Sequence, residues 1–110
     1  MEKLTSFVES FLHEAKIYSN GILEGDNKKA NKADKNLTKL YKKIKEMDGI
    51  EKLKNNITQK DEGVRFCIAA TIIKEFPQLT EKVLKDIVAN DTLFSSLATV
   101  VLDLWEKGQL

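Results

Sequence analysis

A chain of 110 residues with one proline and five glycines is long enough for one hydrophobic core and too short for two, and it leaves little room for a many-turned β architecture. Its 42% hydrophobic and 32% charged residues are those of an ordinary globular domain. The lone Cys67 excludes an internal disulfide and fits a reducing compartment.

No stretch approaches the roughly 20 apolar residues of a membrane span. Glu2, Glu9, His13 and Glu14 interrupt any apolar region a secretory signal would need. The expected location is therefore the cytoplasm, with no membrane partner. The formal net charge of +1 conceals an asymmetry. Residues 28–60 carry 11 lysines against 4 acids, a net of +7, whereas residues 1–27 and 61–110 are each −3.

Taken along the chain, the apolar periodicity predicts six helices and no strands. Leu4, Phe7, Val8, Phe11, Leu12, Ala15 and Tyr18 form one stripe of a first helix over about residues 4–23, and Gly25 supplies its stop. Asp26 or Asn27 caps a second helix reaching Met47. Its inner face is Ala30, Ala33, Leu37, Leu40, Tyr41, Ile44 and Met47. At about 100° per residue, Lys28, Lys32, Lys35, Lys39, Lys42 and Lys43 fall on the opposite side.

A short third helix is expected over residues 50–57 with Ile50, Leu53 and Ile57 inward. A fourth, over residues 62–76, is apolar all round and belongs at the centre of the domain. Asp61 caps it, and Gly63 is expected to let the chain bend into it. Ala69 and Ala70 allow a neighbouring helix to come close. Pro77 ends the fourth helix. The fifth then runs over residues 78–89 with Leu79, Val83, Leu84, Ile87 and Val88 inside. Asp91 or Thr92 caps a sixth that reaches Lys107 and buries Leu93, Phe94, Leu97, Ala98, Val101, Leu102 and Trp105 before Gly108. Short loops suggest three antiparallel pairs stacked into a superhelix. No exact internal repeat is present, and a plain helical bundle is the alternative.

The segment Asp61-x-x-Val64-Arg65-x-x-x-Ala69-Ala70 resembles the second-helix opening of HEAT and armadillo repeats. The resemblance implies that Val64 packs inward and that Arg65 ties neighbouring repeats through backbone carbonyls or an acid. The small residue those families place three positions after the arginine is Ile68 here. The chain as a whole resembles a family of small bacterial proteins known as domain of unknown function 2019. The residues that carry the resemblance are Gly25-Asp26, Ala30-Asn31, Val64-Arg65, Phe76-Pro77 and Leu102-x-x-Trp105-x-x-Gly108-x-Leu110. That family implies a HEAT-like α/α superhelix without an established activity.

Signals for chemistry are weak. Cys67 sits in the most apolar helix, where a thiol is hard to ionise. His13 lies beside the first apolar stripe, with nothing to bring it to Cys67. One histidine and one cysteine 54 positions apart make a poor metal set. Helix caps and solvated faces explain the acid pairs. The expectation is a non-enzyme with no metal and no cofactor. Asn31, at the edge of the lysine side, is expected to bond a neighbouring helix or loop, and Trp105 to anchor the last helix.

The lysine stripe carries the functional expectation. Lys28, Lys32, Lys35, Lys39 and Lys42 run almost without acids until Glu46, whereas a merely solvated helix would pair them at four-residue spacing. A protein-interaction module docking an acidic protein partner is the primary expectation. An immunity protein that neutralises a bacterial toxin is a sharper variant. Non-specific nucleic-acid binding through phosphates is a third reading. The stripe has no arginine and no interleaved aromatic with which to read or stack bases.

Overall fold

The computed structural model describes residues 2–110, the side chain of Glu2 excepted, and among them there are six α-helices and no strand. Helices α1 (Glu2–Glu24) and α2 (Asn27–Glu46) form an antiparallel hairpin. Gly25 turns the chain at φ +71, a left-handed conformation that glycine adopts without a Cβ clash. Asp26 then caps α2, its carboxylate accepting from the Lys29 N–H at 3.1 Å. The hairpin is tight at its closed end. A Cβ on Gly21 would lie 2.9 Å from the backbone nitrogen of Ala30.

Helix α3 (Ile50–Lys54) is shorter than its periodicity suggested. The chain leaves it through turns in which the Asn56 amide donates to the Lys52 carbonyl, and Ile57 is buried without being helical. Helix α4 (Glu62–Thr71) is also shorter than expected and stops before Ile72. Two constraints meet there. Thr71, Ile72 and Ile73 are a β-branched run that fits a helix poorly, and the chain must leave helical conformation before Pro77. The Glu75 and Phe76 N–H groups both donate to the Ile72 carbonyl, closing a turn that keeps Ile72 and Ile73 buried.

Pro77 opens α5 (Pro77–Ala89) at its first position, where the missing N–H costs nothing. Thr92 caps α6 (Leu93–Glu106) in a capping box with Ser95. The Ser95 hydroxyl also donates to the Ile87 carbonyl at 2.7 Å, which fastens α5 and α6 as a second antiparallel hairpin.

Helix α4 is central, packing against α1, α5 and α6. Val64, Phe66, Cys67, Ile68 and Ala69 are all buried, as a helix apolar all round requires. Phe11, Ile44, Leu53, Ile72, Leu84 and Ile87 complete the core around it. Three residues expected inside are exposed: Leu79, Val88 and Leu93, the last at 59%. Thr80 takes the inner place on α5. Its hydroxyl donates to the Phe76 carbonyl at 2.9 Å, so its burial leaves no unsatisfied donor. The capping box puts Leu93 at the first position of α6 and lets Phe94 enter the core instead.

Gly63 is needed for space, not for bending. It lies inside α4 with ordinary helical backbone, and a Cβ there would stand 2.2 Å from the Ser19 Oγ and 2.7 Å from the Phe94 ring. Gly63→Ala is therefore expected to destabilise the fold by about 1–3 kcal/mol through overpacking. Gly25→Ala, in open space but at positive φ, is expected to cost about 1 kcal/mol. Urea denaturation of the two variants beside the wild type checks the order.

Candidate functional site

The lysines of α2 divide into two groups. Lys29 pairs with Glu24 at 3.1 Å, Lys45 approaches Glu75 at 3.6 Å, and the Lys43 ammonium stands 5.3 Å from the centre of the Phe7 ring. Lys28, Lys32, Lys35, Lys39 and Lys42 are exposed, and none has an ion-pair partner among the described residues. Inward packing of Ala30, Ala33, Leu37 and Ile44 fixes this outward face, because the two sets are offset around one helix.

Beside the lysine face runs a groove with a volume of about 430 Å³. Helix α4 is its floor, contributing Phe66, Cys67, Ala70 and Thr71. One wall is α2, through Asp34, Leu37, Thr38 and Tyr41, and the other is α6, through Leu97, Val100 and Val101. Ala70 thus faces open space, where sequence suggested a packed neighbour.

Two tyrosines frame the groove. Tyr18 stacks on Phe66 at 6.3 Å between ring centres. Burial, reinforced by the neighbouring Cys67 and Asp34, pushes its phenol up to about 12, so it stays neutral. The Tyr41 hydroxyl donates to Glu75 at 2.8 Å, and burial with that bond raises its pKa as well. Nearby Tyr41 and Glu75 hold the Lys45 ammonium above the ordinary lysine value.

Cys67 has no features of a nucleophile. It is buried, and burial above all, with Asp34 and Asp61 adding to it, drives its thiol far above the usual range. His13 is exposed on α1. No cluster of three or more histidine, cysteine or acidic side chains suited to a metal ion occurs among the described residues. No helix among them is long and apolar enough to cross a membrane.

The residues assigned structural roles are placed as follows. The Asp61 carboxylate accepts from the Val64 N–H at 3.1 Å and from the Ser19 hydroxyl at 2.9 Å, and it pairs with Lys16. Val64 is buried. Arg65 does bind backbone carbonyls, those of Gln59 and Lys60 at 3.0 Å each, and it stands 4.0 Å from Glu62. Its tie is local, fastening the loop that enters its own helix. Trp105 anchors α6 through an indole N–H bond to Glu81 at 2.7 Å.

Asn31 is exposed and makes no side-chain hydrogen bond among the described residues; the tie runs through Asn36, whose amide donates to Glu14 on α1 at 2.8 Å. Asn36 lies toward the α1 side of the helix, a placement readable from the helical wheel. The groove itself was missed. Its only sequence signal is the surplus of apolar residues on α6, where Val100 falls outside the set expected to be buried and Leu97 and Val101 fall within it.

Comparison with protein-family models, with curated proteins and with solved structures found no match to this chain.

Burial raises the Asp61 carboxyl, but bonds from Lys16, Ser19 and the Val64 N–H outweigh it and hold the group below the ordinary aspartate value. A depressed folded pKa contributes stability above the unfolded value of about 3.9, and that stability is lost as pH falls through the folded value. Asp61→Ala should thus lower stability by about 1–2 kcal/mol at neutral pH. The gap from wild type, followed by denaturant midpoints, should close as the pH is taken below about 4.

Cys67 supplies a second check. The native protein should react with a thiol reagent at neutral pH at least about a hundredfold more slowly than the same chain in denaturant.

Proposed function

We propose that this protein is a non-catalytic interaction module that docks an acidic protein partner on the outer face of α2. The supporting observation is the division among the lysines. Lys29, Lys43 and Lys45 are engaged by α1 or by the turn after α4, while Lys28, Lys32, Lys35, Lys39 and Lys42 are left exposed and unpaired among the described residues. Five like charges along one face repel one another, at a cost of about 0.2–0.5 kcal/mol per close pair. An acidic surface would relieve that repulsion, steer the encounter and orient the bound pair.

A HEAT-like superhelix is the architecture we favour within the all-α class. Asp61 caps the head of the central helix and Val64 packs inward there, in keeping with the repeat motif they resemble, whereas the carbonyls that Arg65 binds belong to its own entering loop. Membership of the domain of unknown function 2019 family is part of the same proposal, as is a cytoplasmic location.

The test is affinity capture from native lysate of the source organism, with and without nuclease, using wild type and the variant Lys32→Glu/Lys35→Glu/Lys39→Glu as baits. The wild type should recover a nuclease-resistant protein that the variant loses. Association with that protein should slow about ten- to hundredfold on charge reversal and weaken as salt rises. Equal recovery by both baits would reduce the stripe to a solvated face. Recovery that vanishes with nuclease would move the function to phosphate binding.

A further inference from the structure

We propose that the groove between α2 and α6 receives one amphipathic helix of the acidic partner, its apolar side on the α4 floor and the α6 wall and its acidic edge along the α2 lysines. This rests on the docking role proposed above for those lysines.

The two lips of the groove differ in kind. On α2, Lys35 and Lys42 stand exposed on the shoulder between the stripe and the groove-lining Thr38 and Tyr41, and Asp34 is the sole acid over residues 27–42. The α6 lip carries no charge. Leu97, Val100 and Val101 line it, and Leu93 continues the same helix face one turn before Leu97; Leu93 and Val100 are more than half exposed. Large aliphatic side chains held open to water beside a cavity mark a contact surface more than a solvated one. An occupant matching both lips has apolar residues on one face and acids along a single flank of that face.

The walls also select the occupant's backbone. Both walls and the floor are helices, whose N–H and C=O groups are already paired within themselves, so the groove offers no edge to an extended peptide. An entering segment must satisfy its own backbone, and a helix does so. Beside Phe66, the floor is made by the small side chains of Cys67, Ala70 and Thr71, over which a helix can lie close. At about 1.5 Å per residue, the lining stretch of α2, residues 34–41, spans about 11 Å, so about two turns of a partner helix lie within the groove. A nucleic-acid strand fits less well. The α6 lip has no cation for a second row of phosphates, Tyr18 is stacked on Phe66, and Tyr41 is tied to Glu75.

A phage-displayed library of randomised helices of about 18 residues, panned on the full chain, tests the occupant directly. Two variants alter the groove at exposed positions, Thr38→Trp by bulk and Val100→Glu by charge, and circular dichroism with thermal melting verifies their folds. The enriched sequences should carry apolar residues at three- and four-residue spacing with Asp or Glu on one flank. Their binding should fall at least about tenfold in each groove variant and should also weaken in the triple lysine reversal. Acidic sequences without apolar spacing, bound equally by Thr38→Trp and Val100→Glu but lost on lysine reversal, would overturn the groove while leaving the docking face standing. Apolar helices without acids, indifferent to lysine reversal, would overturn both. Failure to enrich any sequence over the Thr38→Trp background would overturn the groove proposal. So would a dimer in sedimentation that Val100→Glu converts to monomer, since a second copy would then be the occupant.

Discussion

The contact between the head of α4 and the flank of α1 is the constraint on which the remaining structure depends. Within one turn of chain, Asp61 gathers the Val64 N–H, the Ser19 hydroxyl and the Lys16 ammonium, while Gly63 lets the α4 backbone come down onto Ser19. Neither half suffices alone. The carboxylate without the glycine would be held off by a Cβ, and the glycine without the carboxylate would leave the helix start and the buried Ser19 hydroxyl short of partners. Because α5 and α6 pack on α4, the placement of both hairpins relative to each other is inherited from this one junction.

Polar stitches repeat this pattern at the corners and leave the middle dry. Glu62 takes bonds from Asn90 and Thr92, tying the head of α4 to the turn between α5 and α6. Arg65 holds the loop before α4, Ser95 bonds back to Ile87, Trp105 reaches Glu81, and Tyr41 reaches Glu75. All lie at or near helix ends, where backbone groups lack partners and side chains meet solvent. The core between them is aliphatic and aromatic with almost no polar atoms, so it supplies cohesion while the corners set the register.

The caps and the long helices were legible in the sequence because their signals are local. Asp26, Asp61 and Thr92 each precede an apolar period and end where a glycine, a proline or a turn interrupts it. The lengths of α3 and α4 were not legible, since Ile57, Ile72 and Ile73 continue the apolar pattern through turns that bury them equally well. Periodicity reports burial, and burial does not require a helix. The lysine stripe was visible for the same local reason as the caps. The groove beside it was not, because it is built from three helices distant in sequence, and Leu93, Leu97 and Val101 have the spacing of core residues although Leu93 is exposed and Leu97 and Val101 are half-buried. The close approach at Gly63 was hidden in the same way, its reason lying 44 positions earlier at Ser19.

The groove walls belong to different hairpins, α2 to the first and α6 to the second, and the two meet mainly through α4. Its width is therefore a mechanical quantity set by two lever arms on one fulcrum. Helices pack about 8–10 Å apart, so a rotation of about 10° of one hairpin about α4 displaces its lip by more than about 1 Å. No covalent turn connects the lips directly, and neither carries hydrogen bonds to the other that such a rotation would break. Substitutions beneath the fulcrum, at Ala69 or Ile68, would thus be amplified at the rim, where a cleft of this kind gains or loses fit.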